Sequence, residues 1–347
     1  MQRRVLTLDG AGRIAVAEEP IPDLKPGRLL VEVRASCISP GTELGGVPAR
    51  RREPNPSAPT RTFGYSSAGV VTTCGPDCRE IRPGTRVACM GGGFALHTTH
   101  AVVPQNLAVP IPDGVSFEAA ATNHLAATGL HAVRRGEFTL GEHVAVMGLG
   151  IVGHFAAQFA YRAGAYVVGV DRYPIRRNAL AATGAVETTL APDDPEFVAR
   201  CRELSRGYGY DGGVIAFGGD GTPALKVLYQ ILKQAPDTHK MGRVVIVGGA
   251  RIEHLFAAGL GNVDVRSSAR PGPGYHDEAW EHGADYPPVF VPWTTRRNVE
   301  ECLRFLADGR LTTEHLITHR VPLTEGPAVC DLLIEHPDQA LGVILLP

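Results

Sequence analysis

Apolar and polar positions along the chain follow two different patterns, and the change comes near residue 118. In the first part, short apolar runs alternate with polar positions and are interrupted by Gly and Pro, which is typical of β-strands joined by turns. We predict strands over residues 29–35, 68–73, 85–88 and 100–103. Between them, residues 48–62 are rich in Pro and Arg. This segment is either a solvated loop or a mobile flap over an active site that receives an anionic substrate.

From residue 119 onward, helical and strand patterns alternate, as in a parallel, doubly wound sheet. The predicted helices cover residues 119–133, 151–163, 174–183, 195–205 and 222–234. The predicted strands cover residues 143–147, 186–190, 213–217, 243–248 and 263–267, together with one strand that ends at Asp171. After residue 268 comes a long aromatic, Pro/Gly-rich loop, followed by a helix (296–307), a strand (317–321), a helix (324–335) and a strand (342–346). These patterns predict an α/β protein that also contains a β-rich domain.

One stretch of the second part carries a nucleotide-binding pattern. Between a buried strand and a helix, the G-x-G-x-x-G turn reads Gly148, Leu149, Gly150, Ile151, Val152 and Gly153. Glycines at these places allow a tight turn, the approach of a pyrophosphate and close packing of helix and strand. The helix N-terminus that follows favours negative charge. We therefore predict a dinucleotide cofactor at this turn.

The residues around this turn indicate which cofactor binds. Asp171 ends the second strand, where an acidic side chain binds the ribose hydroxyls of NAD and repels a 2′-phosphate. Arg172, Arg176 and Arg177 lie nearby and could soften that repulsion, or Arg172 could stack on adenine. NAD is favoured over NADP. Ligands bind at the carboxyl ends of parallel strands, so we expect the nicotinamide half to be bordered by Phe217, Gly218, Val247, Gly248 and Gly249.

Composition excludes several classes of partner. The 347 residues suffice for two domains, and 44% hydrophobic with 20% charged residues is ordinary for a globular protein. A net charge of −2 gives no electrostatic reason to bind nucleic acid or an anionic membrane. No apolar run reaches the ~18 residues of a membrane span, and the N-terminus does not have the pattern of a secretory signal. Seven scattered cysteines fit a reducing compartment, so we expect a cytoplasmic protein.

The order of these parts resembles the medium-chain dehydrogenase/reductase superfamily over essentially the whole chain. The segments ISPGTE (38–43), GYSSAG (64–69) and GPGYHD (272–277), with DYP (285–287) and WT (293–294), resemble the subgroup of bacteriochlorophyllide hydroxyethyl dehydrogenase and threonine- or polyol-dehydrogenase-like proteins. The resemblance implies a GroES-like catalytic domain (1–118 and 269–347), a Rossmann domain (119–268) and an active site in the cleft between them. It also implies a homodimer or homotetramer.

Zinc-dependent members of the superfamily use a Cys in a C-x-S-D-like turn, the His of a G-H-E motif and a later Cys or Glu. By the resemblance, Cys37 matches the first ligand and His124 the later one, but Tyr65 stands where the G-H-E histidine would be. Glu43 is a possible third ligand, and zinc is judged unlikely because a catalytic site needs three. The structural zinc is also expected to be absent, because residues 89–100 hold a single cysteine. Cys74 and Cys78 are expected to be reduced and structural.

Without zinc, other groups must handle the proton of the substrate hydroxyl. The candidates are Ser39, which matches the hydroxyl of the family's proton relay, Tyr65 and His124, with Glu43 beside them. An unperturbed His pKa lies near neutrality, which suits His124 for acid–base work. Tyr65 could donate to a ketone oxygen or only fill the vacated metal position. By the resemblance, Thr128 packs beside the nicotinamide.

The loop after residue 268 is the candidate substrate-binding segment. Its polar residues are Arg270, Tyr275, His276 and Asp277. They could hydrogen-bond a polyhydroxylated substrate, or the loop could pack against the cofactor domain or another subunit.

Three functions are weighed. The first is an NAD(H)-dependent dehydrogenase that interconverts a secondary alcohol and a ketone on a polyol, cyclitol, sugar or natural-product intermediate. The second is a zinc-free enone or quinone reductase, a branch that the short lobe near residues 91–100 resembles but that usually prefers NADPH. The third is a nucleotide-binding sensor without chemistry.

Overall fold

The computed structural model describes residues 1–254 and 260–347. The chain divides into two compact units. Unit 1 comprises Met1–Ala127, Pro271–Thr313 and Ile317–Pro347, and unit 2 comprises Thr128–Arg270 and Glu314–Leu316. Unit 1 is therefore built from both ends of the chain.

The elements are numbered in chain order over the described residues. The strands are β1 (Gln2–Leu8), β2 (Ile14–Pro20), β3 (Arg28–Cys37), β4 (Arg61–Thr62), β5 (Ser66–Cys74), β6 (Arg86–Met90), β7 (His100–Pro104), β8 (Ala108–Pro110), β9 (His143–Met147), β10 (Tyr166–Val170), β11 (Thr188–Leu190), β12 (Gly212–Ile215), β13 (Gly219–Asp220), β14 (Met241–Val247), β15 (Ala250–Arg251), β16 (Asn262–Ser268), β17 (Ile317–Pro322) and β18 (Gly342–Leu346). The α-helices are α1 (Val47–Arg52), α2 (Phe117–Ala120), α3 (Asn123–Gly136), α4 (Ile151–Arg162), α5 (Pro174–Ala181), α6 (Phe197–Leu204), α7 (Thr222–Ile231), α8 (Glu278–Glu281), α9 (Thr295–Ala307) and α10 (Gly326–Glu335).

Unit 2 is organised around a six-stranded parallel sheet with the order β11-β10-β9-β12-β14-β16. The strand order reverses at β9, because β10 pairs with one of its edges and β12 with the other. The sheet strands are mostly buried runs of Val, Ile and Ala, as expected for strands covered on both faces. In such sheets the ligand lies at the carboxyl ends of the strands beside this reversal, which here is where residues 148–153 follow β9.

Unit 1 contains a seven-stranded sheet and a three-stranded sheet. The larger has the order β17-β18-β3-β5-β6-β8, with β7 also paired to β3, and the smaller has the order β2-β1-β4. The last strand of the chain joins the first part directly, since β18 pairs antiparallel with β3 in the register Ile344 to Cys37. A buried apolar cluster that includes Leu6, Ile38 and Val343 packs segments from both ends of the chain together.

The predicted fold class, a parallel doubly wound sheet with a separate β-rich part, is confirmed. Two local predictions hold only in part. The helix predicted over residues 119–133 is broken into α2 and α3, because the buried Asn123 amide donates to the carbonyls of Ala120, Ser67 and Cys89. Residues 48–62, predicted as a loop, begin inside α1, where Pro48 occupies the first turn. Arg51 on that helix pairs with Asp331.

Among the described residues, no helix combines the length and the apolar character that crossing a bilayer requires.

Candidate active site

A pair of hydroxyl groups lies at the centre of the candidate site in unit 1. Ser39 follows the end of β3, and Tyr65 precedes the start of β5, which pairs antiparallel with β3 in the register Ser36 to Ser67. This pairing brings the two residues together, and Tyr65 Oη donates a hydrogen bond to Ser39 Oγ. Burial, and then the charge of Glu43, raise the pKa of Tyr65. Tyr65 therefore remains a protonated donor, and Ser39 keeps its own hydrogen for another acceptor.

Glu43 fixes the backbone of Ser39. It lies on the π-helical turn Pro40–Leu44, where its own N–H donates to Ser39 O at 2.9 Å. In return, the Ser39 N–H donates to Glu43 Oε2 at 2.9 Å. The Glu43 side chain is 3% exposed, and its Oε1 has no hydrogen-bond partner. The predicted neighbours Ser39, Tyr65 and Glu43 thus meet in one place.

His97 is a site residue that the sequence did not reveal. It lies in the segment after β6, it is fully buried, and its Nε2 is 3.0 Å from Glu43 Oε2. Its Nδ1 is 2.9 Å from Ser36 Oγ. No motif or regular spacing connects His97 with Glu43, so only the fold could bring them together.

His124 begins α3, where its N–H donates to Ser66 Oγ at 3.3 Å. Its ring packs edge-on against Tyr65, with ring centroids 4.5 Å apart. Burial lowers the pKa of His124 to about 3, although a hydrogen bond with the Tyr65 backbone opposes this shift. The expectation that His124 titrates near neutrality is therefore wrong. A neutral imidazole at this place orients and packs Tyr65 but does not supply a proton at ordinary pH.

The residues of the predicted substrate loop are divided between the units. Arg270 ends a segment of unit 2, whereas Tyr275, His276 and Asp277 belong to unit 1. The Tyr275 ring lies edge-on to His124 with centroids 5.4 Å apart, and its Oη accepts the Gly92 N–H at 2.6 Å. The loop therefore does reach the Tyr65–His124 group.

The other two loop residues in unit 1 have defined contacts. His276 stacks on Tyr275 and has a left-handed backbone with φ of 73°, and its N–H donates to the buried Glu281 at 2.8 Å. Asp277 caps α8, and its second carboxylate oxygen accepts the Tyr286 hydroxyl at 2.6 Å. The carboxylate of Asp277 is thus engaged within its own loop.

The glycine turn in unit 2 has the shape that a pyrophosphate needs. Gly148 has φ of 90°, which favours glycine. A Cβ on Gly153 would lie 1.8 Å from Gly148 O, so only glycine lets the helix start this close to the strand. A Cβ on Gly150 would meet nothing within 4 Å, so the space in front of its backbone is open. Ile151 and Val152 form the first turn of α4 behind that space. These residues fit a bound dinucleotide.

Asp171 is bound to this turn. Its Oδ2 accepts the Leu149 N–H and its Oδ1 accepts the Tyr173 N–H, both at 2.8 Å. Arg176 lies 3.6 Å from Oδ2, and Arg172 and Arg176 both lie over the Tyr173 ring. The carboxylate therefore braces the turn, and the Arg176 guanidinium adjoins it.

The other predicted cofactor residues lie at the ends of neighbouring strands. Phe217 and Gly218 follow β12, and Val247, Gly248 and Gly249 lie at the end of β14, with which β12 pairs. A Cβ on Gly248 would lie 3.5 Å from Phe217 O, so the two tips are adjacent. Thr128 lies on α3 within unit 2.

Comparison with known proteins agrees with this geometry. A family model described as zinc-binding dehydrogenase matches residues 152–284. Sorbitol dehydrogenase of Rattus norvegicus is 25% identical over 353 residues, which cover 92% of this chain and 90% of that protein. These matches support the medium-chain dehydrogenase/reductase superfamily for this chain. The chain is an oxidoreductase of the alcohol dehydrogenase type.

Solved structures share the fold over the full chain. A Sinorhizobium meliloti 1021 structure, described as a zinc-binding dehydrogenase bound to NADP, is 22% identical with a TM-score of 0.77 and covers 100% of both chains. An Escherichia coli CFT073 structure, described as a short chain alcohol dehydrogenase complexed with NADH, is 17% identical with a TM-score of 0.75. It covers 100% of this chain and 99% of that one.

The resemblance assigns the first and second zinc-ligand positions to Cys37 and Tyr65. The Tyr65 hydroxyl donates to Ser39. Burial, and then the charge of Glu43, raise the pKa of the Cys37 thiol. Within residues 1–254 and 260–347, no three His, Cys, Asp or Glu side chains are grouped so that they could hold a metal ion. These donors do not fit the set of three that catalytic zinc requires.

The seven cysteines are free thiols. Cys74 Sγ lies 3.4 Å from Ile81 O and Cys78 Sγ lies 3.3 Å from Arg28 O, so each thiol has its own backbone acceptor.

Proposed function

We propose that this oxidoreductase is an NAD(H)-dependent dehydrogenase that interconverts a secondary alcohol and a ketone without catalytic zinc. The observation that carries the proposal is the Tyr65–Ser39 hydroxyl pair, which retains a donor. The resemblance puts Tyr65 at a zinc-ligand position of the superfamily. A polyol, cyclitol, sugar or natural-product intermediate is the proposed substrate class. The similarity to a sorbitol dehydrogenase supports a polyhydroxylated compound.

The residues of unit 1 manage the substrate oxygen and its proton. A nicotinamide cofactor with its pyrophosphate held at residues 148–153 would supply or accept the hydride. Ser39 accepts from Tyr65, so its own hydrogen is available to the ketone oxygen, and that hydrogen bond strengthens as negative charge develops on the oxygen. Tyr65 donates behind it and holds the Ser39 hydroxyl in this orientation. Neutral His124 packs against the Tyr65 ring and limits its rotation.

The choice of NAD rests on Asp171. Asp171 follows the second strand of the nucleotide-binding unit, the position at which an acid binds ribose hydroxyls in dinucleotide-binding domains. A 2′-phosphate at that position would meet its negative charge. A neighbour bound to NADP and another complexed with NADH support a nicotinamide cofactor of either kind. The negative charge of Asp171 favours NAD, and the nearby positive charges of Arg172 and Arg176 reduce the preference for NAD over NADP.

The test is a matched pair of assays on the purified chain. One supplies NAD with polyols, cyclitols and simple secondary alcohols, and the other supplies NADH or NADPH with enones and quinones. We expect turnover in the first assay, and reversal when NADH and the matching ketone are given. Turnover of enones alone would assign the chain to a reductase of conjugated double bonds. Tight NADH binding without turnover of any compound would indicate a sensor.

A further inference from the structure

Three buried side chains in unit 1 form a continuous hydrogen-bonded group behind the Ser39–Tyr65 pair. Ser36 lies near the end of β3, Glu43 lies on the turn that follows it, and His97 comes from the segment after β6. The imidazole joins the other two, with Nδ1 2.9 Å from Ser36 Oγ and Nε2 3.0 Å from Glu43 Oε2. Ser36 and His97 have no exposed surface. We call these residues the Ser36–His97–Glu43 group.

The hydrogen-bond partners of the His97 imidazole determine which of its two ring nitrogens carries the hydrogen. An ionised carboxylate only accepts hydrogen bonds, so the ring must carry its hydrogen on Nε2 to bond Glu43. In a neutral ring, Nδ1 then accepts from the Ser36 hydroxyl, which can donate. Both ring nitrogens are thereby used, and the buried ring cannot rotate without losing two hydrogen bonds.

The group reaches the candidate site through one carboxylate oxygen. Glu43 Oε2 accepts from His97 Nε2 and from the Ser39 N–H, so imidazole and serine backbone are held by the same atom. The Glu43 N–H closes the loop by donating to Ser39 O at 2.9 Å. Ser39 is thus anchored at both backbone groups, and its hydroxyl is the acceptor for Tyr65.

Burial shows that this group does not act on substrate itself. A serine, a histidine and an acid in hydrogen-bond contact could form a nucleophilic triad. Here, however, the serine hydroxyl bonds Nδ1 and is completely enclosed, and Phe63 lies edge-on to the His97 ring with centroids 5.4 Å apart. No substrate atom can reach Ser36 without opening the interior. What the group does must be transmitted through Glu43.

We propose that His97, held by Ser36, is a positioning residue: it fixes the Glu43 carboxylate, which in turn fixes the Ser39 hydroxyl in the geometry that the reaction uses. This inference rests on the proposed function. It adds Ser36 and His97 to the residues that support the reaction, and neither is at a metal-ligand or relay position of the superfamily. The Glu43 charge, one of the causes that raise the pKa of Tyr65, reaches the pair only while the carboxylate stays in place. Loss of His97 leaves that carboxylate held by the Ser39 N–H alone.

The first test compares steady-state kinetics of the full-length wild type with His97→Leu, His97→Gln and Ser36→Ala. Misplacing a reacting group by about 1 Å lowers the rate by about 100-fold, so we expect this loss of kcat in His97→Leu with KM changed less than about threefold. His97→Gln retains an N–H donor for Glu43 and should recover about tenfold of that loss. Ser36→Ala, which deletes one oxygen atom, should lose about tenfold in kcat. His100→Gln is the control and should match the wild type, since His100 lies three residues away and its ring Nδ1 lies 3.2 Å from Thr99 Oγ1, outside the Ser36–His97–Glu43 group.

The second readout does not depend on activity. In protein labelled with ¹⁵N-histidine, the His97 ring should show a slowly exchanging hydrogen on Nε2 and an unprotonated Nδ1, and Glu43→Leu should abolish this signal. It also covers the case in which His97→Leu does not fold, because it is recorded on the wild type and on Ser36→Ala.

The outcomes separate the two proposals. If the wild type oxidises no alcohol, the proposed function fails, and the imidazole signal still reports whether the group exists. The positioning role is overturned if the wild type is active and folded His97→Leu keeps its kcat within about threefold. It is also overturned if every variant loses activity only in proportion to its loss of folded protein. A hydrogen on Nδ1 with Nε2 unprotonated would also overturn it.

Discussion

Two glycines of the nucleotide turn allow stability to be separated from cofactor binding. In Gly153→Ala, the new Cβ would lie 1.8 Å from the carbonyl oxygen of Gly148. The obstacle is backbone, so the start of α4 must move away from β9. In Gly150→Ala, the new methyl group would meet nothing within 4 Å, and φ of −65° with ψ of −177° is a conformation that alanine adopts freely. That methyl group would instead project into the space proposed for the pyrophosphate.

The magnitudes follow from these contacts. Overpacking costs typically 1–3 kcal/mol, and the depth of this clash places Gly153→Ala at about 3 kcal/mol. For a unit of this size each kcal/mol lowers Tm by about 2–4 °C, so we expect a Tm lower by about 6–12 °C. Gly150→Ala changes the N-cap residue of α4 and should cost under about 1 kcal/mol. Its affinity for NADH should fall at least about tenfold, which corresponds to about 1.4 kcal/mol of binding free energy.

The assay is thermal unfolding of each variant without ligand, followed by NADH titration monitored by nicotinamide fluorescence at a temperature where all are folded. The expected result is a crossed pattern, in which Gly153→Ala is the less stable and Gly150→Ala is the weaker binder at near wild-type stability. If Gly150→Ala binds NADH as tightly as the wild type, the pyrophosphate does not lie against this turn. If the Tm of Gly153→Ala equals that of the wild type, the close approach of α4 to β9 is incorrect.

Four further predictions concern the acid, the imidazole and the phenol. Asp171→Ala removes the carboxylate beside Arg176 and should lower the NAD-to-NADP ratio of kcat/KM by about tenfold or more; an unchanged ratio would refute the role given to the acid. Because burial lowers the pKa of His124 to about 3, folded protein binds fewer protons than unfolded protein between pH 3 and about 6.5. The free energy of unfolding should therefore fall by up to about 1.4 kcal/mol per pH unit as pH drops below about 6.5. In urea unfolding, His124→Gln should lose less stability per pH unit than the wild type. An equal loss in both proteins would contradict the lowered pKa of His124. His124→Ala should lower kcat more than NADH affinity, whereas a loss of NADH affinity alone would make the residue structural. Tyr65→Phe deletes the donor to Ser39 and should lower kcat by about 10- to 100-fold with NADH affinity unchanged; a kcat equal to that of the wild type would show that Ser39 needs no such donor.

The sequence predicted the parts of the fold that depend on local pattern. The apolar run at β9, the glycines after it and the acid at Asp171 are close in sequence, and their spacing follows from strand and helix geometry. Strands β1 and β2 and the break between α2 and α3 were not predicted individually. The break depends on Asn123, whose amide bonds carbonyls far away in sequence, and no property of residues 119–133 alone reveals it.

The candidate site was predicted only as a set of separate residues. Ser39, Tyr65 and His124 were named because of their positions in short motifs, and the structure brings them into contact. Their protonation was beyond the sequence, because burial, which lowers the pKa of His124 and raises that of Tyr65, depends on the surrounding fold. His97 was missed for a related reason. It meets Glu43 only because β6 and β3 belong to one sheet.

The central claim is that two hydroxyl groups, those of Ser39 and Tyr65, orient and stabilise the substrate oxygen in this enzyme without catalytic zinc. The most direct test measures zinc content and alcohol oxidation on the same purified sample, before and after dialysis against a chelator. We expect NAD-dependent turnover to persist with far less than about one zinc per chain. Activity that falls in step with removed zinc, and returns when zinc is added back, would contradict the account.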